Sequence, residues 1–386
     1  MNLFQIIVFI LLLKSCTNPN KTVVTIEPKS EEVTTKQEEK WEEVASLIPE
    51  TKTLKWVAKS EKIEFFIEPK FLATEPFNDK ISFVKYFENQ KLIDAYINTN
   101  GQVLFKTKYD YPNFSFHYGV CRFLKNKKYG FFDKKGNIII HAQFEDVSDF
   151  LEPITWAKKE GKYGYIGLDG NWLISPNFNY AENFSEDLAL VTIGNRYGYI
   201  NLKGEFVIPA IYENASSFSE GLASVKKKDK YIFIDKRGRQ SIKNSFDYAG
   251  SFHEGLARVK NKNKFGYINK KSELIIPFEL EEVVHDAYNF KEDRVVFIKN
   301  NKYGYMDRTG KIIIEPKFDF ADYFVDGIAL VSLNQKVGYI NQFGEYIIKP
   351  QFENGESFSE GFAAVKKSEL YGFIQIEQIA KEVKVK

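Results

Sequence analysis

An aromatic-glycine-aromatic element recurs along most of this sequence, and the spacing between its copies is constant. The middle positions of the element are 130, 164, 198, 232, 266, 304, 338 and 372, so successive copies lie 34 residues apart, except for one interval of 38. An older copy is visible at residues 95–98, with Gly101 in its expected place. A period held over eight or nine copies is typical of tandem structural units, and it overrides the division into two or three domains that 386 residues would suggest. The recurring glycines, which we expect to be structural, are Gly130, Gly164, Gly198, Gly266, Gly304, Gly338 and Gly372.

Each 34-residue unit reads as three short antiparallel strands. The first alternates in hydrophobicity, as in LASV at 222–225, and the second is the YGYIN element. The third is β-branched, as in III at 312–314, and it often runs into a proline such as Pro209 or Pro316. Glycines such as Gly204 and Gly310 supply the positive φ that a tight hairpin needs, whereas a proline cannot donate to a ladder and is expected to stop the pairing. The sequence therefore predicts an all-β fold.

Two arrangements of these units are open. The segment KIEFFIEPKF at 62–71 matches the third piece KIIIEPKF at 311–318, and the last unit stops after its second piece, so the two ends are complementary, as in a closed propeller-like ring. Nine units exceed the usual four to eight blades, however, and three strands per unit fall short of the usual four. These two arguments favour an open or spiral array, with the ring as the alternative.

The three spaced elements together resemble the WG (or KWG) β-repeat family. Its units read aromatic-Gly-[YF]-I-[DN], then G-x-x-[VI]-I-x-P, then F-x-E-G-x-A-x-V, and the resemblance covers about Glu61 to Ile374. This chain departs from the family in its signature tryptophan, because Tyr, Phe, Val or Ile stands there. The family is bacterial, often exported and largely without assigned activity, which is what the resemblance implies here.

The N-terminus resembles a bacterial lipoprotein signal peptide. An apolar run from Leu3 to Leu13 is too short to span a bilayer and has the length of a signal-peptide core. Leu13, Ser15 and Cys16 fit the lipobox, and the resemblance implies that Cys16 carries a diacylglycerol thioether. An uncleaved anchor or an ordinary secretory peptide is the alternative.

Composition divides the chain into five parts. We predict a signal peptide at 1–15, a disordered tether at 16–40, a short helical linker at 41–60, the β-repeat domain at 61–374 and a tail or capping edge strand at 375–386. Only Cys16 and Cys121 are present, so lipidation of Cys16 excludes an internal disulfide, and Cys121 in GVCRFL is predicted to be a core residue.

Motifs for catalysis, cofactors or metals are missing from the sequence. Gly161, Gly164, Gly167 and Gly170 have the hairpin spacing rather than that of a phosphate loop, and the four histidines lack ligand spacing. We therefore expect no enzyme activity, no cofactor and no metal site. The alternative is an enzyme at the four-residue insertion near 283–288, where His285 and Asp286 are single-copy residues.

Acids recur once per unit in the FSEG turn, and this repetition favours a structural role over one active site. They are expected to be solvated or to bind turn backbone, and the aromatic residues of YGY are expected to pack in the core rather than stack on ligands. The recurring acids are Glu186, Glu220, Glu254, Glu292, Asp326 and Glu360.

The turns between first and second strands are rich in lysine, and a regular array would align them on one rim. With 54 basic and 52 acidic side chains overall, only such a local concentration could attract a polyanion, and we expect no nucleic acid. The alternative is that these lysines keep strand ends soluble. The candidate rim residues are Lys226, Lys227, Lys228, Lys230, Lys260, Lys262 and Lys264.

Together these patterns predict a bacterial cell-envelope lipoprotein, anchored by lipid in the outer membrane. Its β-repeat array is expected to be a non-catalytic binding or scaffold surface for a protein or glycan.

Overall fold

A computed structural model describes residues 65–107, 109, 115–280 and 288–375. The chain divides into two units, Met1–Leu54 and Lys55–Lys386, and all described residues lie in the second. The predicted signal peptide, tether and helical linker lie outside the described residues, as does the predicted tail after residue 375.

The described residues form nine antiparallel sheets, which we call blades 1 to 9. The first strand of the chain, β1 (Ile67–Phe71), belongs to blade 9. Blade 1 contains β2 (Ala73–Thr74), β3 (Ile81–Glu88), β4 (Lys91–Asn98) and β5 (Val103–Thr107). Blade 2 contains β6 (Val120–Lys125), β7 (Lys128–Asp133) and β8 (Ile138–Phe144). Blade 3 contains β9 (Asp146–Val147), β10 (Ile154–Lys159), β11 (Lys162–Gly167) and β12 (Trp172–Phe178). Blade 4 contains β13 (Tyr180–Ser185), β14 (Leu188–Ile193), β15 (Arg196–Ile200) and β16 (Phe206–Tyr212). Blade 5 contains β17 (Asn214–Ala215), β18 (Leu222–Lys227) and β19 (Lys230–Asp235). Blade 6 contains β20 (Tyr248–His253), β21 (Leu256–Asn261), β22 (Lys264–Asn269) and β23 (Leu274–Leu280). Blade 7 contains β24 (Arg294–Lys299), β25 (Lys302–Asp307) and β26 (Ile312–Phe318). Blade 8 contains β27 (Phe320–Ala321), β28 (Ile328–Leu333), β29 (Lys336–Asn341) and β30 (Tyr346–Phe352). Blade 9 contains β31 (Asn354–Gly355), β32 (Phe362–Lys367), β33 (Leu370–Gln375) and β1.

Six of the nine blades have four strands rather than the three that the sequence predicted. The additional strand, which we call the lead strand, precedes the three predicted ones; in blade 4 the order is lead β13, first β14, second β15 and third β16. In most blades the lead strand pairs over two residues only, so its sequence carries little alternation. In blade 5 the third strand is replaced by isolated bridges from Tyr231 to Phe246 and from Ile234 to Gln240.

The nine blades form a closed propeller, which is the alternative that the sequence left open rather than the array that it favoured. β1 pairs with β33, with Ile67 opposite Phe373 and Phe71 opposite Tyr371, so the N-terminal strand is the third strand of blade 9. Between blades 9 and 1, the Ser359 hydroxyl donates to the backbone carbonyl of Phe77 at 2.6 Å. The ends therefore complete each other, as the match between 62–71 and 311–318 indicated.

Proline marks a bulge in the third strand rather than its end, which corrects the sequence prediction. In blade 3 the pairing runs from Tyr165 opposite Ile174 to Tyr163 opposite Phe178, and the two extra residues of the third strand lie around Pro176. The bulge brings that backbone against Gly164, where an added Cβ would lie 2.5 Å from the Ile174 carbonyl oxygen. This close approach explains why glycine recurs between the two aromatic residues.

The core lies between blades, so no unit buries its aromatic residues alone. The second aromatic of each element is buried, and its hydroxyl often donates to a backbone carbonyl of the next blade. Tyr165 donates to the carbonyl of Glu182 at 2.8 Å, and Tyr199 donates to that of Ser216 at 2.7 Å. The predicted core role is thus confirmed for the second aromatic, and Cys121 is buried as predicted, which raises the pKa of its thiol.

Antiparallel pairing gives the propeller two distinct faces. The FSEG turns before the first strands and the glycine turns after the second strands lie on one face, which we call the acidic-turn face. The lysine-rich turns between first and second strands lie on the other, which we call the lysine-turn face.

Candidate functional site

The recurring acids link neighbouring blades on the acidic-turn face. The Glu186 carboxylate accepts the backbone N–H of Gly221 in the next blade at 3.0 Å and pairs with the Lys236 ammonium at 3.3 Å. Glu220 makes the equivalent contacts with Gly255 and Lys270, each at 3.0 Å. Among the described residues, six of the nine seams carry such a carboxylate-to-backbone bond. The predicted turn role of these acids is therefore confirmed, and they are structural.

The seam between blades 2 and 3 lacks this link for a visible reason. Tyr118 stands where the other turns carry an acid, and Pro153 stands where the next turn would offer an N–H. Asp326 also makes no such bond within the described part of the chain. The acid role is thus general but not uniform.

The predicted rim lysines do lie together on the lysine-turn face, but acids lie among them. Lys230 pairs with Asp247, which also accepts the backbone N–H of Lys262 at 2.9 Å. These two contacts lower the pKa of Asp247, the bond from Lys230 first. The Lys226 ammonium nitrogen lies 3.9 Å from a carboxylate oxygen of Asp229. The same pattern recurs around the ring in Glu145, Glu213, Asp319 and Glu353, acids at the corners between blades that the sequence analysis missed.

These corner acids also support strained turns. Lys228 and Lys262 have φ of 50° and 47°, and in each turn the backbone N–H of that lysine is bound by a corner carboxylate. Within the described structure, Lys227 and Lys264 form no ion pair, and the Lys260 ammonium lies 5.0 Å from the Phe265 ring centre. Polyanion binding stays a prediction, on a face where both signs of charge alternate.

One cavity of about 280 Å³ opens where blades 5, 6 and 7 meet. Its floor is Ser224, a 2 % exposed residue whose hydroxyl lies 3.1 Å from that of Ser216. Tyr231 and Tyr248 form one side, with ring centres 5.7 Å apart, and Tyr288 lines the cavity from blade 7.

The cavity has space because small residues stand at two positions that carry larger side chains in some other blades. Ser224 occupies the position of Leu190 in blade 4 and Leu330 in blade 8. Gly250 occupies the position of Glu182 in blade 4. An added Cβ at Gly250 would have only ordinary contacts, the nearest at 3.6 Å. The glycine therefore leaves space in the cavity rather than meeting a backbone requirement.

The described residues of the lining are mostly polar. Among the described residues that line the cavity there is no Asp, Glu, Lys or Arg. The side chains of Asn214, Ser251 and Asn289 make no hydrogen bond to another described residue. His253 is half-buried, and desolvation lowers its pKa although Glu220 and Glu254 oppose the effect. Arg258 lies behind the lining with its guanidinium 4.3 Å from the Tyr288 ring centre.

The remaining sequence candidates fall on residues that the structure does not describe. His285 and Asp286, the residues of the enzyme alternative, and Cys16, the predicted lipid attachment site, all lie outside the described residues. Within the described ranges, no group of three or more His, Cys, Asp or Glu residues could hold a metal ion. The described part of the chain likewise contains no helix with the length and hydrophobicity to cross a membrane.

The geometry defines a β-propeller scaffold in which the repeated residues hold the ring together and single-copy residues form the one cavity described above. The chain belongs to the family of proteins with the WG containing repeat. The family model matches in eight consecutive segments, at residues 95–129, 129–163, 163–197, 197–231, 233–265, 265–303, 303–336 and 338–371.

Several solved structures are similar to this chain at low identity. The Hsv2p structure from Kluyveromyces lactis is 10% identical with a TM-score of 0.37, over 62% of this chain and 92% of that one. The WD40 domain of SCAP from fission yeast is 9% identical with a TM-score of 0.36, over 82% and 99%. The extracellular domain of the putative hybrid two component system BT4673 from B. thetaiotaomicron is 10% identical with a TM-score of 0.34, over 84% and 59%. No curated protein sequence matches this chain. The ring assignment rests on the strand pairing and not on these similarities.

Proposed function

We propose that this protein is an exported lipoprotein of the bacterial cell envelope whose propeller binds a protein or glycan ligand and catalyses no reaction. The support for export and anchoring is the N-terminal sequence, in which an apolar run ends in Leu13, Ser15 and Cys16. A single acyl chain gives only weak membrane binding, so the multiple chains of a lipidated cysteine would provide the stable anchor. The outer membrane is the proposed location.

The observation that supports binding is the cavity at blades 5 to 7. The side chains of Asn214, Ser251 and Asn289 have no hydrogen-bond partner among the described residues, whereas the repeated polar groups on both faces are largely used in links between blades. Concave sites with a few convergent polar groups are the usual places where ligands bind. The scaffold is held by repeated contacts, so a ligand would meet a preformed surface.

Lipid anchoring is tested by metabolic labelling with a fatty-acid analogue. We expect the wild type to incorporate label and to fractionate with membranes, and Cys16→Ala to lose both properties. Labelling that persists in Cys16→Ala would overturn the anchoring part of the proposal.

Binding is tested by capture from detergent-solubilised envelope on the immobilised protein. The matched variant is Ser224→Leu, because leucine already occupies this position in blades 4 and 8 and would fill the cavity floor. We expect at least one envelope component to be retained by the wild type and lost with Ser224→Leu. Identical retention by both proteins would contradict binding at the cavity.

A further inference from the structure

We infer that the cavity at blades 5 to 7 binds one or two rings of a neutral glycan, an inference that rests on the proposed binding function and names its ligand class. The first step is size. A volume of about 280 Å³ lies just below the range of about 300–1,000 Å³ that is typical of small-molecule sites. A short saccharide end fits such a site, whereas a folded protein surface does not enter it.

The second step is charge. The described lining residues carry no carboxylate, ammonium or guanidinium group, so neither an anionic nor a cationic ligand would find a counter-ion among them. Arg258 is 4 % exposed and its guanidinium lies 3.7 Å from the Phe265 ring centre and 4.3 Å from that of Tyr288. Its charge is therefore covered by aromatic rings rather than presented to the cavity. Burying a charged ligand group without a partner is costly, and this excludes phosphorylated or sulfated sugars as preferred ligands.

The third step is the kind of polar group. Asn214 and Asn289 offer amides, and Ser251 offers a hydroxyl; each of these groups both donates and accepts hydrogen bonds. Sugar hydroxyls also donate and accept, so they can satisfy all three side chains. A purely apolar ligand would leave these groups desolvated and unpaired, which costs about 1–3 kcal/mol for each buried group. A hydroxyl-rich ligand is thus favoured over a lipid tail.

The fourth step is the aromatic side. Tyr231, Tyr248 and Tyr288 are all half-buried and line the same opening, so part of each ring is available to a ligand. The C–H face of a pyranose packs against such rings, while its edge carries the hydroxyls. An opening with aromatic residues on one side and amides on the other matches this two-sided chemistry.

The test uses saturation-transfer-difference NMR with free saccharides and the full chain. The probes are glucose, galactose, mannose, N-acetylglucosamine, cellobiose and chitobiose, with sialic acid and glucose 6-phosphate as anionic comparisons. We expect ring-proton signals from at least one neutral sugar and none from the anionic pair. Signals from the anionic sugars alone, or from no sugar at all, would overturn the inference.

Three variants place the binding at the cavity. Gly250→Glu adds the side chain that blade 4 carries as Glu182, and it should abolish the signals. Tyr248→Asn adopts the residue of blades 5 and 9 at this position, and it should weaken affinity about three- to tenfold because one aromatic contact is lost. Tyr180→Asn makes the same change at the equivalent position of blade 4, away from the cavity, and it should leave binding unchanged. Equal binding by the wild type and Gly250→Glu would place the sugar elsewhere and overturn the inference.

Failure of the glycan inference is distinguishable from failure of the binding function. If Ser224→Leu abolishes capture of an envelope component while no saccharide binds, the function stands and the ligand class is wrong, with a peptide as the remaining candidate. If Ser224→Leu changes neither capture nor sugar binding, both proposals fail.

Discussion

Glycine in the aromatic-glycine-aromatic element is required by contact and not by φ. At Gly198 an added Cβ would lie 2.6 Å from the backbone nitrogen of Ala210 and 2.7 Å from the carbonyl oxygen of Ile208. Both are backbone atoms of the bulged third strand, so neither can rotate away. The recurrence of this glycine therefore reports the bulge of the neighbouring strand.

We predict that Gly198→Ala destabilises the fold by about 2 kcal/mol or more, because the third strand must shift to relieve the overlap. Urea unfolding followed by circular dichroism measures this loss. The matched control is Gly250→Ala, where the nearest atoms are 3.6 Å away, and its effect should stay within about 0.5 kcal/mol. Equal losses in the two variants would contradict the contact argument.

Glu356 is a partly buried acid where blade 9 meets blade 1. Burial and the nearby charge of Glu75, in that order, raise its pKa from 4.5 to about 7, and one of its carboxyl oxygens is buried without a hydrogen-bond partner. Because the folded-state pKa lies above the unfolded one, the folded state binds the proton more tightly. Ionisation of Glu356 therefore lowers stability as pH rises from about 4.5 to 7, and the full cost remains above that window.

We predict that Glu356→Gln stabilises the protein at pH 8.5 by up to about 3 kcal/mol, since each pKa unit corresponds to about 1.4 kcal/mol. At pH 4 the difference from the wild type should nearly vanish. Denaturant unfolding of both proteins at the two pH values measures it. A gain of the same size at both pH values would show that the charge of Glu356 is not the cause.

At the scale of elements, the turns do most of the work of joining blades. Glu220 illustrates this, since it binds both the Gly255 N–H and the Lys270 ammonium of the next blade. Desolvation raises the pKa of Glu220, but the bonds from Lys270 and Gly255 outweigh it, so the net pKa is lowered. Its contribution to stability is therefore present above its unfolded pKa and is lost as pH falls through the lower folded value.

We predict that Glu220→Ala costs about 1–2 kcal/mol at pH 7, because a charged acceptor is removed from a backbone donor. Asp326→Ala is the control, since the same turn position there accepts no such bond within the described structure. Its cost should stay within about 0.5 kcal/mol. Thermal unfolding compares them, and the finding that Asp326→Ala costs as much as Glu220→Ala would rule out the linking role.

The three long strands of each unit could be predicted from the sequence because alternation and β-branching recur every 34 residues. The lead strand could not, because β27 and β31 pair over two residues each, too few for a pattern. The effect of proline was predicted wrongly, because a bulge lets the third strand pass Pro176 and pair again at Phe178. The cavity could have been anticipated by aligning the units, since Ser224 and Gly250 are smaller than Leu190 and Glu182, the residues at the same positions of blade 4.

At the scale of the whole molecule, the rotation angle between neighbouring blades determines whether the ring closes. No residue pattern in the sequence specifies this angle. The sequence did contain the complementary ends, and β1 joins β33 as that match implied. Arguments from blade number and strand count pointed to an array, and both were general tendencies that this chain does not follow. The seam is built like the other blade junctions, with the Glu360 carboxylate accepting the backbone N–H of Lys80 at 2.7 Å.

The ring closes because the N-terminal strand β1 pairs with β33 in blade 9, and a distance between two spin labels tests this pairing. Labels on Glu68→Cys and Lys367→Cys, in a Cys16→Ser chain whose buried Cys121 stays unlabelled, report on the seam by double electron–electron resonance. The Lys367 ammonium lies 5.9 Å from the ring centre of Phe65. In the closed ring we therefore predict one short distance between the labels at positions 68 and 367, below about 30 Å once the label linkers are included. Labels on Lys228→Cys and Lys262→Cys, in adjacent blades, serve as the control that is short in either arrangement. An open stack of nine sheets at about 10 Å spacing would instead separate residues 68 and 367 by about 80 Å, and that result would contradict the closed ring.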